Sequence, residues 1–543
     1  QPLDFSVANL ILTYPGGATP VTGAYQDKGI SNQDRVIFGA TAIDTSIQTN
    51  GKFKGQYEFL NQSKLTYTIG LWDLDSRQNV QSYIKDIHGN SIYGGDVIFN
   101  NKKYSLTGST NRMSPAQAEA FHVMQSIDFK SNDKGFFNWQ MTLSDYDYSK
   151  DLSNRGNVDG TSTNPYITKT GQITDLSGTG WTVFDSRVTL RPKDHTIDLG
   201  YHLDYYHLRQ TVNVSNDWMG SQKGAFSSLS SGNTKTHAVY VQDKWQITPL
   251  WALTLGGRQE HYEAYDGVNQ NTHATSPTAR YENRSRNAFS PKVSLSFEPI
   301  PAWGFRAAFG KAYRFPTVTE LFQQLTVSNI IVTNNPNLKP EEIYSSEITA
   351  ERRFANGLAR ASLFREDRYD ALISQTNVSP VPPLTNSTSY VQNVDHVRIY
   401  GIELATEWKN AIIPKLDLLA NATLTDSEIL KNDAAPSNIN KKVPRIPRQL
   451  YKAVATYRVS EDFTMSLAAR YSGRQFIQLD NSDINPETYA GASRLLFVDA
   501  KANYKFKDRW TASLGVDNIF NDQAYVHHPL SQRTGYAQIK FDY

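Results

Sequence analysis

The closing segment Gly535-Tyr536-Ala537-Gln538-Ile539-Lys540-Phe541-Asp542-Tyr543 alternates without a break. One side carries Gly, Ala, Ile, Phe and Tyr; the other carries Tyr, Gln, Lys and Asp. Side chains of an extended strand point alternately to opposite faces, so this pattern writes one apolar face and one polar face. The same period recurs upstream. Val498, Ala500, Ala502, Tyr504 and Phe506 alternate with Asp499, Lys501, Asn503 and Lys505. Met465, Leu467, Ala469 and Tyr471 alternate with Ser466, Ala468, Arg470 and Ser472, and Tyr451, Ala453, Ala455 and Tyr457 with Lys452, Val454, Thr456 and Arg458.

These apolar faces are rich in small residues and end on aromatics, whereas a soluble sandwich core favours Val, Ile and Leu on its buried face. The opposite faces carry Lys, Asp and Arg at successive positions, which suits a wet lumen. Apolar-out, polar-in strands of about ten residues with aromatic ends are the mark of a transmembrane β-barrel. Mean hydropathy is −0.51, and no apolar run approaches the length of about 18 residues that a spanning helix requires. The chain has 543 residues and no cysteine, which removes disulfides, thiol catalysis and Cys-based metal sites. A net charge of +2 gives no reason to expect a nucleic-acid partner. Aromatics make up 12% of the chain, which argues against disorder.

Counting back from the C-terminus gives about 19 strands, the first near Lys52–Phe59. Short links such as Thr248–Leu250, Ile300–Ala302 and Lys507–Arg509 alternate with long ones such as Ser76–Ala118, Lys150–Gly178, Asn213–Asn233, Thr317–Pro340 and Gln478–Gly491. Short turns on one side and long polar loops on the other fit an outer-membrane barrel. A soluble β-propeller would show a blade repeat of roughly 40–50 residues, and none is present. In hydrocarbon a sheet must close on itself, and bacterial single-chain barrels have even strand numbers. An odd count therefore implies missing or miscounted strands.

Several segments, taken in order, resemble the barrel of the TonB-dependent outer-membrane receptors. They are Tyr240-Val241-Gln242-Asp243-Lys244-Trp245 with Leu253-Thr254-Leu255-Gly256-Gly257-Arg258, then Lys311-Ala312-Tyr313-Arg314-Phe315-Pro316, then Glu320-Leu321-Phe322. Asn335-Pro336-Asn337-Leu338-Lys339-Pro340-Glu341, Tyr400-Gly401-Ile402-Glu403 and Val516-Asp517-Asn518-Ile519-Phe520-Asn521 continue the series. The match is clear over Lys235–Tyr543 and looser before it. The resemblance implies an all-β, antiparallel transmembrane barrel of the type with about 22 strands, of which about 19 are visible. Residues 1–34 then read as the end of an early strand and its external loop, and 35–543 as the barrel. Neither a plug domain nor a TonB box is recognisable, so the expectation is a barrel portion without its plug.

The family implies a receptor in the outer membrane of a Gram-negative bacterium that binds a scarce ligand, by default a ferric siderophore, and imports it with TonB-supplied energy. The expected partners are that ligand, the TonB complex through a missing N-terminal segment, the lipid bilayer and lipopolysaccharide, with no nucleic acid. No resident cofactor, metal or catalytic residue is expected, since no G-x-S-x-G, H-E-x-x-H, P-loop or dinucleotide fingerprint occurs. Aromatic rings and guanidinium groups would contact the ligand. The candidates are Trp218, Tyr313, Arg314, Tyr390, Arg474, Phe476 and Tyr489, each of which could instead serve as a girdle or lumen residue. Arg314 has a third reading as the anchor of its loop base.

Haem receptors of the family carry an iron-ligating His in the loop before the Asn-Pro-Asn-Leu box, and Thr317–Asn334 has none. Copper import would lean on Cys or Met, and the chain has no Cys and 5 Met. Cobalamin stays open, and a passive pore or adhesin is the competing class. The Asn335–Glu341 box reads as a rigid redirection of its loop, and Asn518 and Asn521 as turn formers. His527 and His528, as neighbours in a strand, would point to opposite faces.

Overall fold

The computed structural model describes residues 2–5, 17–106, 113–132, 135–157, 164, 166, 168–272, 278–327, 330–377 and 387–542. One sheet of 25 strands dominates it. Its long members are β1 Asp34–Glu58, β2 Lys64–Ser82, β3 Ala116–Lys130, β4 Phe137–Gly156, β5 Gly180–Leu190, β6 His195–Ser215, β7 Phe226–Thr248, β8 Trp251–Asn271, β9 Arg284–Ile300 and β10 Trp303–Arg314. The series continues with β11 Glu341–Phe354, β12 Gly357–Asn377, β13 Ser387–Trp408, β14 Leu416–Lys431, β15 Gln449–Arg458, β16 Phe463–Ser472, β17 Leu495–Phe506, β18 Trp510–Asp517 and β19 Thr534–Phe541. Each pairs antiparallel with the next, so the described residues form the meander that the alternation implies, strand for strand in number.

The register aligns the apolar faces into rows. Leu418 faces Ala455, Ala455 faces Leu467, Leu467 faces Ala500, Ala500 faces Val516 and Val516 faces Gly535. Leu467 in this row is 52% exposed, and Leu514 and Ile348 reach 66% and 64%. An apolar band of this extent, left uncovered by protein, is the surface that lipid covers in a barrel.

Aromatics mark both margins of the band. Near the short turns, Trp251 stacks on Phe297 with ring centres 4.2 Å apart, Phe354 lies 4.6 Å from Trp408, and Trp510 lies 4.7 Å from Phe541. At the other margin Tyr451 stacks on Tyr471 at 5.6 Å. On β16 the step from Phe463 to Tyr471 covers about 26 Å at roughly 3.3 Å per residue, comparable to an apolar band of about 25 Å.

Strands run further at their external ends than the alternation suggests. β1 begins at Asp34 rather than near Lys52, β2 continues to Ser82 and β4 to Gly156. Beyond the membrane both faces of a strand meet water, so the hydropathy period fades while the backbone ladder persists. The external segments carry their own small cores. Val36 and Phe38 of β1 pack with Ile84, Val97, Tyr104, Leu106 and Met113. The Asn518 and Asn521 turn is as expected: φ is 51° and 59°, and the Asn518 side chain donates to the Asp522 carbonyl at 2.9 Å.

Among the described residues β19 pairs only with β18, and the outer flank of β1 pairs only with Pro2–Phe5. The two ends of the sheet meet through the external crown. Asn485 N–H donates to the Ile30 carbonyl at 2.8 Å and Thr488 Oγ1 donates to the Lys28 carbonyl at 3.1 Å. Arg35, 5% exposed, donates through Nε to Asp27 at 2.9 Å and through a terminal nitrogen to Thr488 Oγ1 at 2.7 Å. Arg35→Ala removes charge-assisted hydrogen bonds of about 2 kcal/mol each at this junction. Limited proteolysis should then cut residues 473–494 faster, while the heat-modifiable migration of the folded sheet stays unchanged.

Candidate functional site

The polar faces of β2 to β6 carry a continuous row of rings. Trp72 lies 4.8 Å from His122, and His122 stacks on Tyr148 at 3.9 Å and 9°. Tyr146 stacks on Trp181 at 4.4 Å and 3°, and Trp181 lies 6.0 Å from Tyr206. Parity places the row inside. Leu71, Phe121, Leu143 and Leu199 stand on the exposed apolar faces of these strands, and the ring positions have the opposite parity. His122 is 5% exposed and bridges Tyr146 Oη at 3.0 Å and Asp151 Oδ2 at 3.0 Å. Next to it on the same wall, His202 lies 2.6 Å from Asp185 and 3.0 Å from Asp204. The result is a rigid aromatic ladder with hydroxyl and carboxylate groups on the lumen wall.

A loop that leaves β10 docks on the lumen faces of β6 and β8. After Pro316 the chain forms the short helix α1, Val318–Phe322. Thr317 and Glu320 build a capping box: Thr317 Oγ1 accepts from Glu320 N–H at 3.3 Å, and Thr317 N–H donates to Glu320 Oε2 at 2.8 Å. Arg314 donates to the other Glu320 oxygen at 2.6 Å. Leu321 and Phe322 pack with Leu208, Tyr262, Ala264 and Leu338. The Tyr262 ring stacks on Phe315 at 4.6 Å, and its hydroxyl donates to the Pro316 carbonyl at 2.8 Å. Phe322 fits between two glycines: a Cβ on either Gly232 or Gly267 would lie 2.3 Å from its ring. The Asn335–Glu341 box closes the loop as a structural element, with Leu338 buried and its carbonyl accepting from Arg284 at 3.2 Å.

The seven candidates separate into different environments. Trp218 is 2% exposed; its Nε1 donates to the Thr168 carbonyl at 3.0 Å, and its indole fills the space that side chains at Gly156 and Gly171 would occupy. That packing uses the indole to join its loop to the neighbouring Lys150–Gly178 loop. Tyr313 has the parity of exposed Phe309, so it stands on the outer wall, with Lys311 Nζ 4.9 Å from its ring centre. Arg314, of opposite parity, holds the helix cap. The Tyr390 side chain lies outside the described residues. Arg474 and Phe476 come together, with the guanidinium 4.7 Å from the ring centre. Tyr489, from the same loop, sits 6.0 Å from His527 and 5.3 Å from His528. The two histidines do not flank a strand: His527 has φ 65° in a tight turn, and the two rings lie 5.1 Å apart. The ladder was not among the candidates. The local pattern hid it: in Leu143–Tyr148 the carboxylates Asp145 and Asp147 share the parity of exposed Leu143, while Tyr146 and Tyr148 share that of Ser144.

The loop carrying Arg474 folds around a carboxylate. Asp483 is buried and accepts from the Ile477 and Gln478 N–H groups at 2.7 and 3.3 Å, while Arg474 donates to its backbone carbonyl. Burial pushes the Asp483 carboxyl above the ordinary carboxylate range, opposed by the amides and by Arg474.

An apolar-out, polar-in antiparallel meander of this length defines an outer-membrane barrel. The family model "TonB dependent receptor-like, beta-barrel" matches residues 12–519, and the chain belongs to that family. It is a family of transport receptors, and the protein's place is the outer membrane of a Gram-negative bacterium. The chain is 24% identical over 319 residues to the probable TonB-dependent siderophore receptor PiuA of Acinetobacter baumannii, covering 56% of this chain and 39% of that protein. The solved PiuA structure superposes with a TM-score of 0.59 at 15% identity, covering 99% of this chain and 82% of that one. Heme/hemopexin utilization protein C of Haemophilus influenzae is 27% identical over 331 residues, 56% of this chain and 42% of that protein. The structure of the copper transporter OprC superposes with a TM-score of 0.61 at 12% identity, covering 93% and 80%. The chain thus spans less than half the length of these curated relatives.

Two outcomes follow from the site. Gly267→Ala should displace Phe322 and expose the Phe322–Gln323 peptide bond to chymotrypsin. Phe322→Ala should cost about 3 kcal/mol in loop docking, and the double variant should be no worse than Phe322→Ala alone, because the clash then has no ring to meet. A carboxyl whose pKa rises on folding adds stability on the acid side and loses it as pH climbs through the raised value. Protection factors of residues 475–485, with exchange rates corrected for the intrinsic rate at each pH, should therefore fall as pH rises through the raised value, and Asp483→Asn should flatten that fall.

Proposed function

We propose that the protein serves in TonB-energised import of a ferric siderophore across the outer membrane. The observation that carries this reading is the lumen wall: an aromatic ladder runs across β2 to β6, and the loop with α1 docks on the inner faces of β6 and β8 beside it. A passive pore needs only a water-lined channel, whereas a receptor must present contact surface to its ligand. The relatives named as siderophore receptors support iron chelates as cargo. Rings of Trp72, Tyr146, Trp181 and Tyr206 contribute flat contact surface, and the TonB complex supplies the energy for passage.

The test is uptake of radiolabelled ferric siderophores by iron-starved cells expressing the receptor, with and without a working TonB complex. Uptake should require TonB. Trp181→Ala should lower it by about tenfold, the scale of one aromatic contact of about 1.4 kcal/mol. Uptake that persists undiminished without TonB, or steady ion conductance through the protein in planar bilayers without ligand, would reject the reading in favour of a passive pore.

A further inference from the structure

The inner wall of β15 to β19 carries charge that the aromatic ladder does not account for. Tyr451, Leu467, Tyr504, Leu514 and Ile539 are exposed outer positions of these strands. Lys452, Arg470, Lys501, Lys505 and Lys540 have the opposite parity and therefore face the lumen. Lys452 stands directly across from Arg470, and its other cross-strand neighbour is the neutral Asn421. Like charges directly opposite on a sheet are destabilising. The Arg470 guanidinium is held 5.2 Å from the centre of the Phe497 ring, the next residue in the row. Carboxylates balance only part of this charge. Asp499 lies 3.9 Å from Arg470 Nε and accepts from the Asn518 N–H at 2.7 Å. Asp542 pairs with Lys540 at 2.7 Å, Asp417 of β14 pairs with Arg458, and Asp517 stands at the external end of β18. Among the described residues Lys452, Lys501 and Lys505 form no ion pair.

The cations descend in steps. Phe497 shares a row with Arg470 and Lys452, and Lys501 follows four residues along β17. Lys505 lies four residues further on, beside Thr511, whose other cross-strand neighbour is Lys540. At roughly 3.3 Å per residue each step is about 13 Å. The column begins next to the stacked Tyr451 and Tyr471 of one margin and ends next to the stacked Phe506 and Trp510 of the other. It therefore runs the full height of the membrane-level lumen. An anion moves along such a wall when each station holds it weakly enough to let go and the next is near enough to take over. Positions that break a local pairing rule without a compensating contact are where function is expected, and the opposed Lys452 and Arg470 break one. We propose that Lys452, Arg470, Lys501, Lys505 and Lys540 form a stepped path for a negatively charged ferric chelate along the inner wall of β15 to β19. The path rests on the import reading above and adds the sign of the cargo's charge and the wall that the cargo follows.

The experiment measures TonB-dependent uptake by iron-starved cells of a polyanionic ferric tris-catecholate, an anionic ferric citrate complex, and neutral and cationic ferric trihydroxamates. Cells without a working TonB complex report surface binding alone. The chelate taken up should carry net negative charge. Lys501→Gln should slow its uptake about fivefold, the upper scale of a solvent-exposed ion pair, and leave its surface binding unchanged. Lys452→Gln should act in the same way, and Lys501→Arg should keep the parent rate. Ser466 is the cross-strand neighbour of Lys501, so the Lys501→Gln/Ser466→Lys variant, which moves the cation by one strand, should recover the rate. A lysine with only a structural role gives no such recovery. Heat-modifiable migration checks that each variant is folded. TonB-dependent uptake of neutral or cationic chelates alone, an unchanged rate in both Lys→Gln variants, equal slowing of a neutral chelate, or loss without recovery would each overturn the path and leave the import reading standing. Uptake of none of the chelates would reject the import reading and the path with it.

Discussion

Hydrocarbon offers no partner to a peptide N–H or C=O, so a chain that crosses it as strands must satisfy every backbone group from its own neighbours. That requirement makes the long meander obligatory and divides each strand between two solvents. The lipid side takes Leu467, Leu514 and Ile348, which would be anomalous on a soluble protein. The lumen side takes the ladder rings, the His122–Asp151 pair and the docked loop of α1. Aromatic margins appear where the two solvents meet, because rings with a polar edge are at ease in neither phase alone.

Within the lumen, order comes from two different sources. The ladder is held by cross-strand stacking, so its rings are as fixed as the register of β2 to β6. The element that carries α1 is a loop, and loops lose more entropy on docking than strand residues do. It is held by a capping box, by Arg314 on Glu320 and by a phenylalanine seated where two strands carry no side chain.

The sequence disclosed most where the two solvents differ most. The apolar faces of β15 to β19 were legible because lipid and water impose opposite demands on alternate residues, and the observed register joins those faces side by side. The start of β1 was not legible, since Asp34 to Asn50 stand partly in water on both faces and carry no period. Tyr313 and Arg314 were read together as neighbours in a motif. One-residue parity sends the first to the outer wall and the second to the cap of α1. Trp218 looked like a loop aromatic available to ligand, yet its surroundings are Gly156 and Gly171, far away in sequence. The ladder escaped for a related reason: stacking between Tyr146 and Trp181 is a property of strand pairing, and pairing partners are not written in local pattern.

Gly232 and Gly267 belong to the strands, while the ring they admit belongs to the loop. The docked state is therefore encoded in two places, like a latch and its keeper on separate panels. A recombinant barrel that received residues 315–340 without both glycines would inherit the latch and have nowhere to seat it. Relatives that exchange this loop by homologous recombination can keep it docked only if the recipient strands already leave those two positions bare.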